Sequence, residues 1–400
     1  MKVLHLIASM DPEAGGVSQA VSTIVLSLDN GGIMNEVVSL DQPDAPFLNN
    51  KSVIMHGMGT GKGVWGYSPL LNSWLISNLP RFDAVIVHGL WQYHSYSLRK
   101  AISSLKKMTG TNPYLKVPRT LIMPHGMLDP YFQRAKGRKL KAIRNWVYWK
   151  MIEGYVINEA DGVLFTCDEE KRLAKEPFHP YKPKKEIVVG LGVISPPAYS
   201  TTMEEAFLKK CPQVRNNKYF LFLSRLHEKK GVDMLIEAYK NLYTKTTNKD
   251  SLPKLVIAGP GTETNYGSKL IKSVNEAEGL NSFILFPGML VGDAKWGAFY
   301  NCETFILPSH QENFGIAVVE ALACEKAVLI SNQVNIFKEI KDNQAGIVSE
   351  DTVEGTLGSL QRWNDLLPHL RKLMERMAKQ TYEDKFSLES FSGNFKKALN

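Results

Sequence analysis

Short apolar runs rich in valine and isoleucine recur along the chain, each bounded by turn residues and followed by a longer amphipathic segment. In the first half they are Lys2–Ala8, Asn35–Leu40, Asp83–Gly89, Arg119–Gly126, Asp161–Thr166 and Glu186–Val193. In the second half they are Tyr219–Arg225, Lys254–Gly259, Ser282–Gly288, Glu303–Ser309, Lys326–Ser331 and Ala345–Ser349. Runs of five to eight residues without strict polar alternation predict parallel strands buried on both faces. Strands alternating with helices predict βαβ units wound on both sides of a sheet. The pattern therefore predicts an α/β protein with two Rossmann-like, doubly wound domains. The halves share no visible sequence identity, so the doubling is one of architecture.

The segment Gly192-Val193-Ile194-Ser195-Pro196-Pro197 marks the boundary, because Pro-Pro continues neither a helix nor a central strand. The expected division is residues 1–192 and 193–380. In such sheets ligands sit outside the carboxyl ends of the strands, and two of them facing each other would enclose a cleft there. Met1-Lys2 followed by Val3–Ala8 imitates a leader peptide, but the run carries His5 and ends at Asp11-Pro12, so it reads as a first buried strand. No stretch approaches the roughly 18 uncharged apolar residues of a spanning helix. A cytoplasmic protein, peripheral at an inner membrane face, is the expectation.

With 400 residues, 44% hydrophobic and 22% charged, the composition excludes disorder and low complexity and fits about two domains. Cys167, Cys211, Cys302 and Cys324 show no C-x-x-C spacing, which argues against a zinc site and for small buried thiols. The net charge of +8 is uneven: residues 1–195 carry +7 and the remainder +1. A basic first half suggests an acidic partner, whether nucleic acid, membrane or a phosphorylated substrate.

Gly15 and Gly16 precede a helix expected over Val17–Leu28, where adjacent glycines let backbone N–H groups approach an anion; a tight turn explains them equally well. The dinucleotide fingerprint G-x-G-x-x-G is absent there. In Ser224-Arg225-Leu226-His227-Glu228-Lys229-Lys230-Gly231, Arg225 and Lys230 bring two cations to a strand-to-helix junction, suited to a diphosphate. Glu312-Asn313-Phe314-Gly315 places a carboxylate and free N–H groups at a helix start, suited to sugar hydroxyls and a phosphate. Glu320 lies inside the apolar run Ile316–Ala323, where a buried acid needs donors; the vicinal hydroxyls of a ribose would supply two.

Together, P-S-x-x-E-x-F-G-x-x-x-x-E-A over Pro308–Ala321 and S-R-L-x-x-x-K-G over Ser224–Gly231 resemble the retaining glycosyltransferases of family 4, which have the GT-B fold. The likeness extends to Gly15-Gly16, to His125-Gly126-Met127-Leu128-Asp129, to Val256-Ile257-Ala258-Gly259-Pro260-Gly261 and to Phe286-Pro287-Gly288 through Asp293. It implies transfer of a hexose from a nucleotide-sugar, a UDP-sugar by preference, to a glycan or lipid-linked acceptor in polysaccharide or glycolipid assembly. It further implies that Arg225 and Lys230 neutralise the leaving diphosphate, that Glu320 holds the ribose, and that Glu312 holds the donor sugar with Asn313, Phe314 and Gly315. Gly15, Gly16 and Gly259 would flank the donor, and His125 would stand beside its sugar. No cofactor is implied, and no metal, since two cations supply the charge and D-x-D is absent. A C-terminal tail, 381–400, would pack back on the first domain. The chain departs from the family pattern at Leu191-Gly192-Val193-Ile194-Ser195, where N-G-[VI]-D is usual, and at Glu325, where a glycine is usual.

Two features lie outside those motifs. Pro130–Ile152 holds no acid but seven bases (Arg134, Lys136, Arg138, Lys139, Lys141, Arg144, Lys150) with Tyr131, Phe132, Trp146, Tyr148 and Trp149. It reads either as a solvated helix with its aromatics in the core or as a surface for anionic lipid or acceptor. His88, Trp91 and His94 follow a strand end and are candidates for the acceptor side. A sugar-nucleotide epimerase or a phosphorylase on the same fold stands as an alternative enzyme. A basic nucleic-acid-binding protein is the alternative from another class, although no nucleic-acid motif appears and no nucleic-acid partner is expected.

Overall fold

The computed structural model describes residues 1–49, 53–135, 137 and 139–399. Two compact units divide the chain, Met1–Gly192 with Leu388–Asn400 and Val193–Ser387.

In the first unit seven strands form one parallel sheet: β1 (Lys2–Ile7), β2 (Met34–Ser39), β3 (Ile54–Gly57), β4 (Ala84–His88), β5 (Arg119–Met123), β6 (Gly162–Phe165) and β7 (Glu186–Val188), in the order β3-β2-β1-β4-β5-β6-β7. Every residue of β4 is buried, as befits a strand covered by helices on both faces. The strand order reverses between β1 and β4, the position outside whose carboxyl ends such sheets bind ligands. The pattern of apolar runs missed β3. It is an edge strand, half exposed, with Ile54 open to solvent, and it never needed a continuous apolar run.

The second unit repeats the plan with β8 (Tyr219–Leu223), β9 (Lys254–Ala258), β10 (Ile284–Gly288), β11 (Thr304–Leu307), β12 (Val328–Ser331) and β13 (Gly346–Ser349), in the order β10-β9-β8-β11-β12-β13. Phe220, Phe222, Phe299 and Phe305 fill its interior and are fully buried. Here the order reverses between β8 and β11. Most strands end one to five residues before the apolar runs do, at Ile7, His88, Met123, Leu223 and Leu307. The residues left over are the loops at the carboxyl edge, where the candidate chemistry lies.

The helix Pro368–Thr381 continues as the π-helix Tyr382–Phe386, and the helix Leu388–Leu399 follows. That last helix lies against the helix Gly16–Asn30, with Ser27 Oγ donating to the Leu388 carbonyl at 3.1 Å. Arg119 donates to the Leu399 carbonyl at 2.9 Å. The departure from N-G-[VI]-D has a local structure. Val193 N–H donates to the Phe386 carbonyl at 2.8 Å, and the Tyr382 hydroxyl reaches the Val193 carbonyl and Ser195 Oγ, both at 2.9 Å. The four cysteines are free and buried.

Candidate functional site

In the second unit, β8 delivers Ser224 and Arg225 to the carboxyl edge and a single 3-10 turn, Glu228–Lys230, follows. His227 caps that turn by accepting from Lys229 N–H at 3.0 Å. Gly231 ends it at φ 65°, where a Cβ would stand 2.3 Å from the Pro308 carbonyl oxygen. Only glycine permits that approach. Gly259 (φ 144°) is equally constrained, its Cβ position lying 1.9 Å from the Ser224 carbonyl oxygen. These two contacts fix the backbone on either side of Arg225. Arg225 itself is exposed, and no ion pair or hydrogen bond to its side chain is found among the described residues.

The loop after β11 runs alongside this turn, with His310 N–H donating to the Lys229 carbonyl at 2.9 Å. Lys230 Nζ pairs with the Glu312 carboxylate, and their side chains are only 14% and 18% exposed. Glu312 is held through its backbone too, donating to the Gln333 carbonyl and accepting from Asn335 N–H, each at 2.9 Å. Phe314 is buried edge-on against Phe386, and the Asn335 amide approaches the Asn313 side chain at 3.5 Å. Gly315 at φ 80° turns the chain into the helix Ile316–Ala323. His310 bonds Asp351 at 2.7 Å, and that partner raises its pKa.

Glu320 is buried in that helix. It already has a protein partner, for Lys295 Nζ lies 2.6 Å from its Oε1. Burial raises the Glu320 pKa, and the lysine opposes the rise. The expected donors for Glu320 were ribose hydroxyls, and Lys295 is a protein donor beside them that the motif does not name. The apolar context of Glu320 signals only that a donor must be near.

In the first unit, Gly15 (φ 115°) caps the helix Gly16–Asn30, and both glycines are exposed with open space where a Cβ would stand. Beyond β5, the turn Pro124–Asp129 closes through Met127 N–H to the Pro124 carbonyl (3.1 Å) and Asp129 N–H to the Gly126 carbonyl (3.0 Å). Glu170 accepts from Gly126 N–H at 2.5 Å. His125 takes φ 52° there, a left-handed conformation unusual for a side-chain-bearing residue and found more often at functional sites. Its Nε2 stands 3.0 Å from His88 Nδ1.

His88 and His94 were expected to line an acceptor site, and this is corrected. Both are buried and turned toward protein groups, His88 to His5 and His125 and His94 to the His88 carbonyl at 3.2 Å. Those polar partners lie inside the protein, so the rings are satisfied without facing outward. Trp91 keeps a partly exposed edge, its ring packed on Phe178 and Tyr148. His5 and Asn35, which join this cluster, were not singled out from the sequence.

In the basic segment, Lys136 and Arg138 lie outside the described residues. The helix Lys139–Tyr148 runs into a π-helix, Trp149–Glu153. Trp149 is core, but Leu140, Ile143, Val147 and Met151 are exposed, Leu140 at 84% and Met151 at 70%. Their spacing puts one apolar stripe along the outer face, beside exposed Lys139, Lys141, Arg144 and Lys150. Among the described residues no helix is long and apolar enough to cross a membrane.

Residues 204–384 match the family model described as Glycosyl transferases group 1. The chain is 30% identical over 132 residues to the uncharacterized glycosyltransferase MJ1607 of Methanocaldococcus jannaschii, covering 33% of this chain and 32% of that protein. It is 23% identical over 266 residues to the alpha-1,3/1,6-mannosyltransferase ALG2 of Dictyostelium discoideum, covering 61% and 62%. The chain therefore spans from about a third to three-fifths of the length of these curated relatives. Among solved structures, a glycosyltransferase from Rickettsia africae ESF-5 superposes with a TM-score of 0.75 at 18% identity, covering 100% of this chain and 97% of that one. Anabaena Alr3699/HepE in complex with UDP and glucose gives 0.71 at 16%, covering 100% and 99%. The solved structures establish the fold across the chain, and residues 204–384, which carry Arg225, Lys230, Glu312 and Glu320, are similar to glycosyl transferases of group 1.

Proposed function

We propose that the chain is a retaining glycosyltransferase of the family 4 type that moves a hexose from a UDP-sugar to a hydroxyl of a glycan or lipid-linked acceptor. The observation that carries this reading is the Lys230–Glu312 pair, standing with exposed Arg225 at the carboxyl ends of the adjacent strands β8 and β11. The crystallised Anabaena relative, in complex with UDP and glucose, supports a uridine donor. The mannosyltransferase name of the Dictyostelium relative supports a hexose.

In this reading Arg225 and Lys230 take up the charge that develops on the diphosphate as the sugar–phosphate bond breaks. The acceptor oxygen bonds to the anomeric carbon from the same face, and its proton passes to the departing phosphate oxygen. The two cations supply the charge for which other transferases use a metal, and no cofactor takes part. Glu312 exchanges Lys230 for donor hydroxyls, helped by the backbone of Asn313–Gly315, and Glu320 accepts from the ribose. Gly15 and Gly16 leave room for a phosphate at their helix start. The apolar stripe Leu140–Met151, with bases beside it, supports an anionic membrane face as the place where a lipid-linked acceptor is met.

A panel of sugar nucleotides incubated with the full chain, with and without glycan acceptors, tests the reading. Acceptor-dependent release of nucleotide supports it. Conversion of a sugar nucleotide without acceptor points to an epimerase, and salt-sensitive binding of duplex DNA or RNA with no response to sugar nucleotides points to a nucleic-acid-binding protein.

A further inference from the structure

Five side chains of the first unit form one hydrogen-bonded row: Asp29, Asn35, His5, His88 and His125. The direction of the row is set at its inner end. The Asn35 amide nitrogen donates to Asp29 Oδ1 at 2.6 Å and to the Ile33 carbonyl at 2.8 Å. Both partners only accept, so the Asn35 carbonyl oxygen must face His5, whose Nε2 is 3.0 Å away. His5 therefore carries its proton on Nε2, which leaves Nδ1 a bare lone pair. His88 Nε2, 2.9 Å from that lone pair, must donate to it. His88 Nδ1 is then an acceptor as well, and His125 Nε2, at 3.0 Å, donates in turn. The His5 and His88 rings stack with centroids 5.2 Å apart, and His88 and His125 follow at 5.3 Å.

A cation at His5 or His88 would strand a charge away from water, since both rings are fully buried. Burial lowers the pKa of His5 and His125 to about 4 and holds that of His88 well below the ordinary imidazole value. The other titratable groups against the row are His94, itself neutral through burial, Asp29 at the far end and Glu170 below the turn. His125 ends the row at the carboxyl edge of the sheet. Its Nδ1 has no protein partner among the described residues and is not one of the polar atoms sealed from solvent.

We propose that Asn35, His5 and His88 are positioning residues that lock His125 as its Nε2–H tautomer, so that Nδ1 stands open as an acceptor for a ligand hydroxyl and rejects phosphate or carboxylate oxygens. The hydroxyl being that of a sugar rests on the transferase reading; the tautomer does not. A neutral lone pair accepts an O–H and repels an anion, so this position selects an uncharged sugar carbon's hydroxyl.

Long-range 1H–15N spectra of the full chain with labelled histidine test the row directly. Peaks are assigned by His5→Gln, His88→Gln and His125→Gln. The expected result is three neutral Nε2–H imidazoles from pH 7.5 down to pH 5.5. A His125 that is cationic at pH 7, or protonated on Nδ1, overturns the proposal. No substrate is needed, so this outcome is separate from the fate of the transferase reading. In turnover, His88→Leu should lower kcat about tenfold with little change in donor KM. His88→Gln, whose amide can donate to His5 and accept from His125, should restore most of it. Equal loss in both variants, with the tautomer of His125 unchanged in His88→Leu, also overturns the proposal.

Discussion

Lys230, on the turn after β8, pairs with Glu312, on the loop after β11, and the peptide hydrogen bond from His310 to Lys229 at 2.9 Å joins the same two segments. The cation that would meet a phosphate and the carboxylate that would meet a sugar hydroxyl are thus each other's partner. A ligand binding there would replace one ionic contact by another, and until then the pairing lowers the cost of holding two poorly exposed charges.

That relationship predicts non-additive stability. Lys230→Ala or Glu312→Gln alone leaves a half-desolvated group without its partner, at about 1–3 kcal/mol. The double variant should cost clearly less than the sum of the two, by about 1 kcal/mol. Urea denaturation of the four proteins measures the cycle, and strict additivity would show that the pair is not formed. Turnover should fall at least about a hundredfold in both single variants, as expected when a charge-assisted contact to the leaving group is lost.

The Lys295–Glu320 pair gives a pH-dependent outcome. Burial raises the folded pKa of Glu320 above its unfolded value, so its contribution is fully present below pH 4.5 and is lost as pH rises. Lys295→Met removes the opposing cation and raises that pKa further. The variant should match the native chain near pH 4.5 and fall behind by about 1.4 kcal/mol for each added unit of folded pKa at pH 8. A stability gap independent of pH would show that Lys295 acts through packing alone.

Glu153 is fully buried, accepts from Ser95 Oγ at 3.2 Å, and has its pKa raised to about 8 by burial. Its carboxyl is a neutral acid at pH 7, so stability declines as pH rises from 4.5 through 8. Glu153→Gln abolishes that titration, and its midpoint relative to the native chain should improve steadily from pH 5 to pH 8. A constant difference would mean that Glu153 is ionised throughout.

The imidazoles with lowered pKa act in the opposite direction. His5, His94 and His125 have folded pKa values near 4, below the unfolded value of about 6.5. The unfolded chain binds more protons between those limits, so stability present above pH 6.5 is lost as pH falls toward 4, by about 1.4 kcal/mol per unit for each ring. Thermal midpoints at pH 7 and pH 5 should differ by many degrees, and replacing His94 by Asn should narrow the difference.

The exposed stripe Leu140, Ile143, Val147 and Met151 should direct the chain to anionic lipid. Sedimentation with vesicles rich in phosphatidylglycerol is expected, weakened by salt and by Ile143→Ser with Met151→Ser, while vesicles of phosphatidylcholine alone should hold little. Equal binding to both would remove the electrostatic half of the reading.

Much of the architecture was legible because parallel strands covered on both faces must be written as continuous apolar runs. Edge strand β3, half exposed at Ile54 and Met55, carries no such requirement and left no mark. The cationic and acidic residues of the second unit were legible because Gly231, Gly259 and Gly315 stand beside them, and each sits at a positive φ. Pairings were not legible. Nothing local links Lys295 to Glu320 or His5 to His88, since those contacts depend on strand order, and strand order is a property of the folded sheet. His88 and His94 misled for the same reason: a histidine after a strand reads as a surface residue until its neighbours in space are known.

The claim that residues around Arg225 and Lys230 hold a nucleotide-sugar is tested most directly by equilibrium titration of a sugar-nucleotide panel into the native chain, Lys230→Ala, and the double variant with Glu312→Gln. At least one UDP-hexose should bind the native chain and bind both variants about 10–100-fold more weakly, the loss of a charge-assisted contact. Undiminished binding in both variants, or no binding of any sugar nucleotide to the native chain, would contradict it.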